Sequence, residues 1–279
     1  MGAKGLHFSF TATDHVSNTY DGEGDMVLGS KPGFELRVQG TPIFRAVGTQ
    51  SYLKRPDDAS WVRLPEAGHH SGIASLGAGR GSTQALIGRE NLAAGNAYHI
   101  TSTDSSGIPT DLWARTSDFY PLRLLESQGL LEITLTFDRY NTGVITTDPA
   151  PGDAPTYLEL FQAMQRKRDV DVFDAFSQID QTCAGQGESC SLAIFKKAQL
   201  AVRTYSTDLP KLGLPGGFDV DVKAVVDACA LLDNALGEAP GAITQTDIDK
   251  LAADYQVAKT ALGTAEITLT NDLTALYQS

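Results

Sequence analysis

The spacing of apolar residues changes once along this chain, near residue 150, and that change decides what each part can fold into. Before it, apolar side chains recur at every second position. Phe8, Phe10 and Ala12 alternate with Ser9, Thr11 and Thr13; Phe34, Leu36 and Val38 alternate with Glu35, Arg37 and Gln39; Ile133, Leu135 and Phe137 alternate with Glu132, Thr134, Thr136 and Asp138. A period of two places the apolar residues on one face of a strand and leaves the other face wet. Gly and Pro punctuate the pattern at Gly29 to Gly33, Pro56, Pro65, Gly107 to Pro109 and Gly129, which suits antiparallel strands joined by turns.

After Pro155 the period becomes helical. Thr156 and Glu159 have capping-box spacing, and Tyr157, Phe161, Met164, Val172, Phe176 and Ile179 follow mostly at steps of three and four. A second helix carries Ile194, Ala198, Val202, Tyr205 and Leu209. The third carries Phe218, Val222, Val225, Cys229, Leu232 and Leu236, and the fourth runs from Ile248 through Tyr255, Leu262 and Leu269 to Leu276. Breaks at Gly185 to Gly187, Pro210 to Gly217 and Gly237 to Gly241 separate them, so an antiparallel four-helix bundle is expected over residues 151–279. The Pro-rich segment Asp148 to Pro155 reads as a linker after an antiparallel sheet domain at residues 1–150. The fold class expected is α+β.

Charge narrows the partners. The net charge is −12, with 12 basic against 16 acidic residues up to residue 150 and 10 against 18 after it. This balance repels phosphate backbones, and no Lys/Arg stripe is interleaved with aromatics, so nucleic acid is not an expected partner. Anionic membrane surfaces are disfavoured for the same reason. No apolar run approaches the roughly 20 residues needed to cross a bilayer. Met1-Gly2-Ala3 reads either as a cytosolic start or as a start replacing an exported leader.

Sites of chemistry are few. Cys183 and Cys190 bracket a hydrophilic turn that a disulfide would close in an oxidising compartment; free thiols are the other reading, and the spacing is not that of a zinc site. The Gly-rich run Ser75 to Thr83 could cradle an anion with Arg80, but it lacks the Walker lysine and reads as a surface loop. His69-His70, with His99 elsewhere, carries no third ligand at helical spacing. Asp57-Asp58 lies in a Pro-containing turn and reads as solvated. No Gly-x-Ser-x-Gly or His-Glu-x-x-His occurs. The second half has no histidine, which removes a Glu-x-x-His di-iron centre or a His-ligated haem from it. There Met164 and Tyr205 read as core, and Arg166-Lys167-Arg168 beside Asp169 and Asp171 as a solvated face. No cofactor and no enzyme activity are expected.

One resemblance covers residues 6–150. Val47-Gly-Thr-Gln-Ser-Tyr-Leu53, Trp61-Val-Arg-Leu64, Gly95-Asn-Ala-Tyr-His-Ile100, Leu112-Trp-Ala114 with Pro121-Leu-Arg123, and Ile133 to Asn141 follow in an order that resembles the LppX/LprG group of actinobacterial lipoproteins, relatives of the LolA-type carriers. The resemblance implies a curved half-barrel of antiparallel strands, export, a lipidated anchor cysteine upstream of this chain, and acyl chains held in a cavity of the sheet. The residues it assigns to that cavity are Phe8, Phe10, Phe34, Leu36, Val38, Leu112, Ala114, Ile133, Leu135 and Phe137. The other reading is that the same residues are simply the packed core of the sheet. The helical half lies outside the resemblance. It is read as an interaction domain for a protein partner. The function expected is an extracytoplasmic, cell-envelope protein binding a lipid or other apolar ligand; the alternative is a structural or signal-sensing interaction module without a lipid cavity.

Overall fold

The computed structural model describes residues 4–14, 19–27, 33–48, 50–54, 60–65, 83–103, 109–128, 131–142, 154–185, 188–239 and 244–278. The Asp57-Asp58 pair, His69-His70, nearly all of the Gly-rich run and most of the linker lie outside them. The chain divides into two compact units, Met1–Ala154 and Pro155–Ser279.

The first unit is one curved, unclosed, wholly antiparallel sheet of eleven strands. The strands are β1 (Gly5–Asp14), β2 (Thr19–Val27), β3 (Gly33–Val38), β4 (Thr41–Val47), β5 (Gln50–Lys54), β6 (Trp61–Arg63), β7 (Thr83–Leu92), β8 (Gly95–Thr103), β9 (Pro109–Arg115), β10 (Pro121–Gln128) and β11 (Leu131–Tyr140). Their order is β6-β5-β4-β3-β2-β1-β11-β10-β9-β8-β7. Two meanders therefore meet where the first strand pairs with the last, and β6 and β7 are the free edges. Two-residue turns join β3 to β4 and β7 to β8. Between β3 and β4 the two turn residues, Gln39 and Gly40, have φ of 50° and 75°, the handedness that matches the twist of a two-residue hairpin.

Register turns the period of two into rows that run across the strands. One row passes from Leu86 through Ile100, Leu112, Leu124 and Leu135 to Phe10 and Gly22. A second passes from Phe137 through Phe8, Gly24, Leu36, Phe44 and Leu53 to Val62. Together these rows form an apolar face that reaches from one edge of the sheet to the other.

The second unit is helical: α1 (Tyr157–Asp169), a π-helical turn (Val170–Asp174), α2 (Ala175–Ser177), α3 (Ile179–Thr182), α4 (Glu188–Asp208), α5 (Asp219–Glu238) and α6 (Gln245–Gln278). α1 starts where the spacing predicts it. The Thr156 hydroxyl accepts from the Glu159 N–H at 3.1 Å, and the Thr156 N–H donates to the Glu159 carboxylate at 2.7 Å. Thr244 and Asp247 open α6 in the same reciprocal way. The helices enclose a core in which α1 touches α4 and α6, and α5 touches the same two. Phe161, Val202, Leu209, Val225, Leu232, Leu262, Leu269 and Leu273 are buried in it. Cys183, at the end of α3, and Cys190, in the first turn of α4, are joined as a disulfide. Burial pushes the thiol of Cys229, the remaining cysteine, up to about 12.

The Arg166-Lys167-Arg168 run is not uniformly a solvated face. Arg166 and Lys167 are exposed, but Arg168 is 4% exposed, and its Nη2 donates to Glu266 of α6 at 2.9 Å and pairs with Asp169 at 2.8 Å. A step of about 100° per residue carries consecutive side chains to different faces of a helix, so a run of three charges cannot share one face. Tyr205, read as core, is buried and donates its hydroxyl proton to Glu266 at 2.7 Å. Burial above all, and then the adjacent Glu266 carboxylate, keep that phenol far above its ordinary range.

Candidate functional site: the apolar face of the sheet

Nine of the ten residues assigned to the cavity come together. Phe8, Phe10, Phe34, Leu135 and Phe137 join Leu6, Met26 and Leu124 in one buried cluster, and Leu36, Val38, Leu112 and Ile133 pack against it while staying partly open. Ala114 is buried but lies outside that cluster, in register with Tyr98 and Pro121. The cause is local. The β9–β10 register slips between Pro121 and Arg123, and Leu122 packs instead with Ala97 and Trp113 in a separate cluster.

The centre of the apolar face is held by aromatic rings. Phe8 stacks on Phe34 with centroids 5.3 Å apart and meets Phe137 at 5.8 Å, and Phe34 meets Phe44 edge-on at 6.1 Å. Two glycines make this possible. A Cβ on Gly24 would collide with the Phe8 ring, and one on Gly22 would lie 2.5 Å from the Phe10 ring. Each ring thus occupies the space that its cross-strand partner has no side chain to fill. Sequence alternation identifies both phenylalanines but gives no sign that their rings lie across the neighbouring strand.

The opposite face departs from the expectation that it is wet. Cross-strand register aligns Arg139, His7, Asp25, Glu35, Arg45, Tyr52 and Arg63. Of these, His7, Asp25, Glu35, Arg45 and Tyr52 are buried. Buried charges need partners. His7 Nδ1 lies 3.0 Å from Asp25; Arg37 bonds both Asp25 and Glu35; Arg45 Nε donates to Glu35 at 2.7 Å and its guanidinium lies 4.8 Å from the Trp61 ring centre. Burial by itself would raise the Asp25 carboxyl, but hydrogen bonds from Arg37 and His7 outweigh it and hold the group below its ordinary value. The Asp25 and Glu35 carboxylates in turn raise the Arg37 guanidinium against its own burial.

A second polar group sits on β7 to β10. His99 lies between two carboxylates, Glu90 at 2.7 Å and Asp111 at 2.9 Å, and its ring stacks on Trp113 with centroids 4.4 Å apart. The Trp113 indole N–H donates to Glu90 at 2.8 Å and Arg123 lies over the same indole. The hydrogen bond from Trp113, followed by that from His99, draws the Glu90 carboxyl below its usual value. His99 thus has carboxylate partners two strands apart, which spacing along one strand does not reveal. Among the described residues, no group of three or more His, Cys, Asp or Glu side chains is placed to hold a metal ion.

Solved structures to which the chain is similar include LppX-type lipoproteins and a LolA-superfamily protein. The chain's similarity to the Mycobacterium tuberculosis lipoprotein LppX is 19% in sequence over 52% of this chain and 90% of that one, with a TM-score of 0.36. LprF from Mycobacterium bovis is 14% identical over 53% of this chain and 90% of its own, with a TM-score of 0.33. A LolA-superfamily protein from Nitrosomonas europaea is 10% identical over 54% and 90%, with a TM-score of 0.29. No family model matches the sequence, and no curated protein matches it. Among the described residues no helix is long and apolar enough to cross a membrane.

Proposed function

We propose that this chain is a non-enzymatic, extracytoplasmic binding protein whose sheet unit holds a lipid or other apolar ligand against its apolar face, with the helical unit serving as an interaction domain. The observation that carries this reading is the pair of apolar rows spanning the sheet, buried at the centre and partly open at Leu36, Val38, Phe44, Leu112 and Ile133. An acyl chain laid along those open positions gains about 0.8 kcal/mol for each methylene removed from water, so a long tail binds without polar recognition. Localisation and membrane anchoring belong to the same proposal and rest on the resemblance of residues 6–150.

The test is extraction of gently purified full-length chain with organic solvent, followed by mass spectrometry. A stoichiometric lipid supports the reading. Its absence, together with failure of a fluorescent fatty acid to bind, rejects it. The second reading, a structural or signal-sensing module without a lipid cavity, is favoured by the way Phe8, Phe10, Phe34 and Phe137 fill the centre of the face with their own rings. Widening that centre separates the two readings: Phe34→Ala raises fatty-acid affinity if the face accepts ligand and only destabilises the sheet if it does not.

A further inference from the structure

The helical unit contains a cavity of about 380 Å³ lined by Arg168, Asp169, Phe173, Asp174, Lys259, Gly263 and Glu266. Its size falls at the small end of ligand pockets, which run from roughly 300 to 1,000 Å³. Three independent features make it more than a gap between helices. First, Gly263 sits in the interior of α6, where glycine is the costliest ordinary residue, yet a Cβ there would meet nothing within 4 Å. Close packing does not require this glycine; what it provides is open space above the helix. Second, the rim is the π-helical turn Val170–Asp174, a distortion of the kind that recurs at functional sites. Third, Arg168 is buried, and its Nε and Nη1 have no hydrogen-bond partner, although buried donors are ordinarily satisfied.

The charges in the cavity fall into spent and unspent groups. Glu266 is engaged by Arg168 and Tyr205, and Asp169 by Arg168. Lys259 and Asp174 make no ion pair among the described residues, with each other or with any other group. Both are exposed, and the ring centre of Phe173 lies 4.9 Å from the Lys259 ammonium and 4.9 Å from the Arg168 guanidinium. One cation and one anion without ion-pair partners, lining the same cavity as an aromatic ring, do not suit a dianion, which would face three carboxylates in an already acidic unit. They suit a molecule carrying both signs.

We infer that this cavity binds a small zwitterion of the α-amino-acid class, its carboxylate on Lys259, its ammonium on Asp174 and its side group against Phe173. The site lies wholly within residues 155–279 and is independent of the lipid reading of the sheet.

The experiment is calorimetric titration of the full-length chain with each standard amino acid, and with inorganic phosphate, propionate and propylamine as probes carrying one sign of charge. At least one amino acid is expected to bind with a dissociation constant below about 1 mM, and the single-sign probes at least about tenfold more weakly. Lys259→Ala and Asp174→Ala each weaken that binding by about tenfold or more. Gly263→Leu, which fills the open space, abolishes it while the helical circular dichroism is retained. Failure of every amino acid to bind, equal binding of a single-sign probe, or binding that survives Gly263→Leu overturns the proposal.

Discussion

Glycine does opposite work in the two units. In the sheet, Gly22 and Gly24 give up their side-chain space to the rings of Phe10 and Phe8, so the missing atoms are replaced at once by a neighbour. In the bundle, Gly263 gives up the same space and nothing moves in. Buried charge shows a parallel contrast. The sheet spreads it along a cross-strand row from His7 to Arg45, each group sharing partners, whereas the bundle gathers it at one point, where Arg168 and Tyr205 converge on Glu266. A filled void and a shared charge mark a surface built for rigidity. An unfilled void beside a concentrated charge marks a place left for something else.

The two units can be probed separately within the intact chain. Both tryptophans, Trp61 and Trp113, lie in the sheet unit, so indole fluorescence follows the sheet, while far-ultraviolet circular dichroism is dominated by the helices. The largest effect expected is from Glu266→Ala. It leaves the buried Arg168 without its cross-bundle partner and should lower helical stability by about 3–5 kcal/mol. The denaturant midpoint by circular dichroism should fall while that by fluorescence stays; equal movement of both would end the claim that this charge cluster serves the bundle alone.

Gly24→Ala comes next. Its methyl meets both the Phe8 ring and the backbone carbonyl of Glu35, at a cost of about 1–3 kcal/mol or more read on the fluorescence midpoint. The matching substitution in the bundle, Gly263→Ala, should have the opposite sign, adding about 1 kcal/mol by helix propensity with no clash. Two losses, or two gains, would break the contrast between a used and an unused void.

The smallest effect is on pH dependence. The Asp25 carboxyl is held below 3.8 in the folded sheet, so its contribution is complete above that value. It is lost as pH falls through the lowered value, because the unfolded chain takes up the proton first. Fluorescence midpoints measured between pH 7 and pH 3 should therefore fall less steeply for Asp25→Asn than for the natural chain. Parallel slopes would show that Asp25 is not held by Arg37 and His7 as described.

Much of this architecture could be read from local pattern. The change of period separates strands from helices, the Thr156–Glu159 spacing marks the start of α1, and alternation picks out nine residues that gather on one face. What resisted reading is whatever depends on a partner far along the chain. Ala114 alternates correctly with Leu112, but a one-residue slip on the neighbouring strand removes it from the cluster. The charged row on the other face alternates like any wetted face, and nothing local says that it is buried. Arg168 looks like one of three surface cations because its carboxylate partner is 98 residues away. The π-helical turn at Val170–Asp174 shifts the apolar stripe by a single residue, which spacing alone does not tell from an ordinary irregularity.

The pairing of β1 with β11 sets the order of assembly. The backbone N–H of Lys4 bonds the side chain of Asn141, a separation of 137 residues, and Phe8, paired with Gly24 on one side, gains its second cross-strand partner only when Phe137 joins. Closing a loop that long is entropically demanding and slows folding. As the polypeptide is made, β2 can cover one side of β1 at once, whereas the other side of that strand stays without its partner until β11 has been translated.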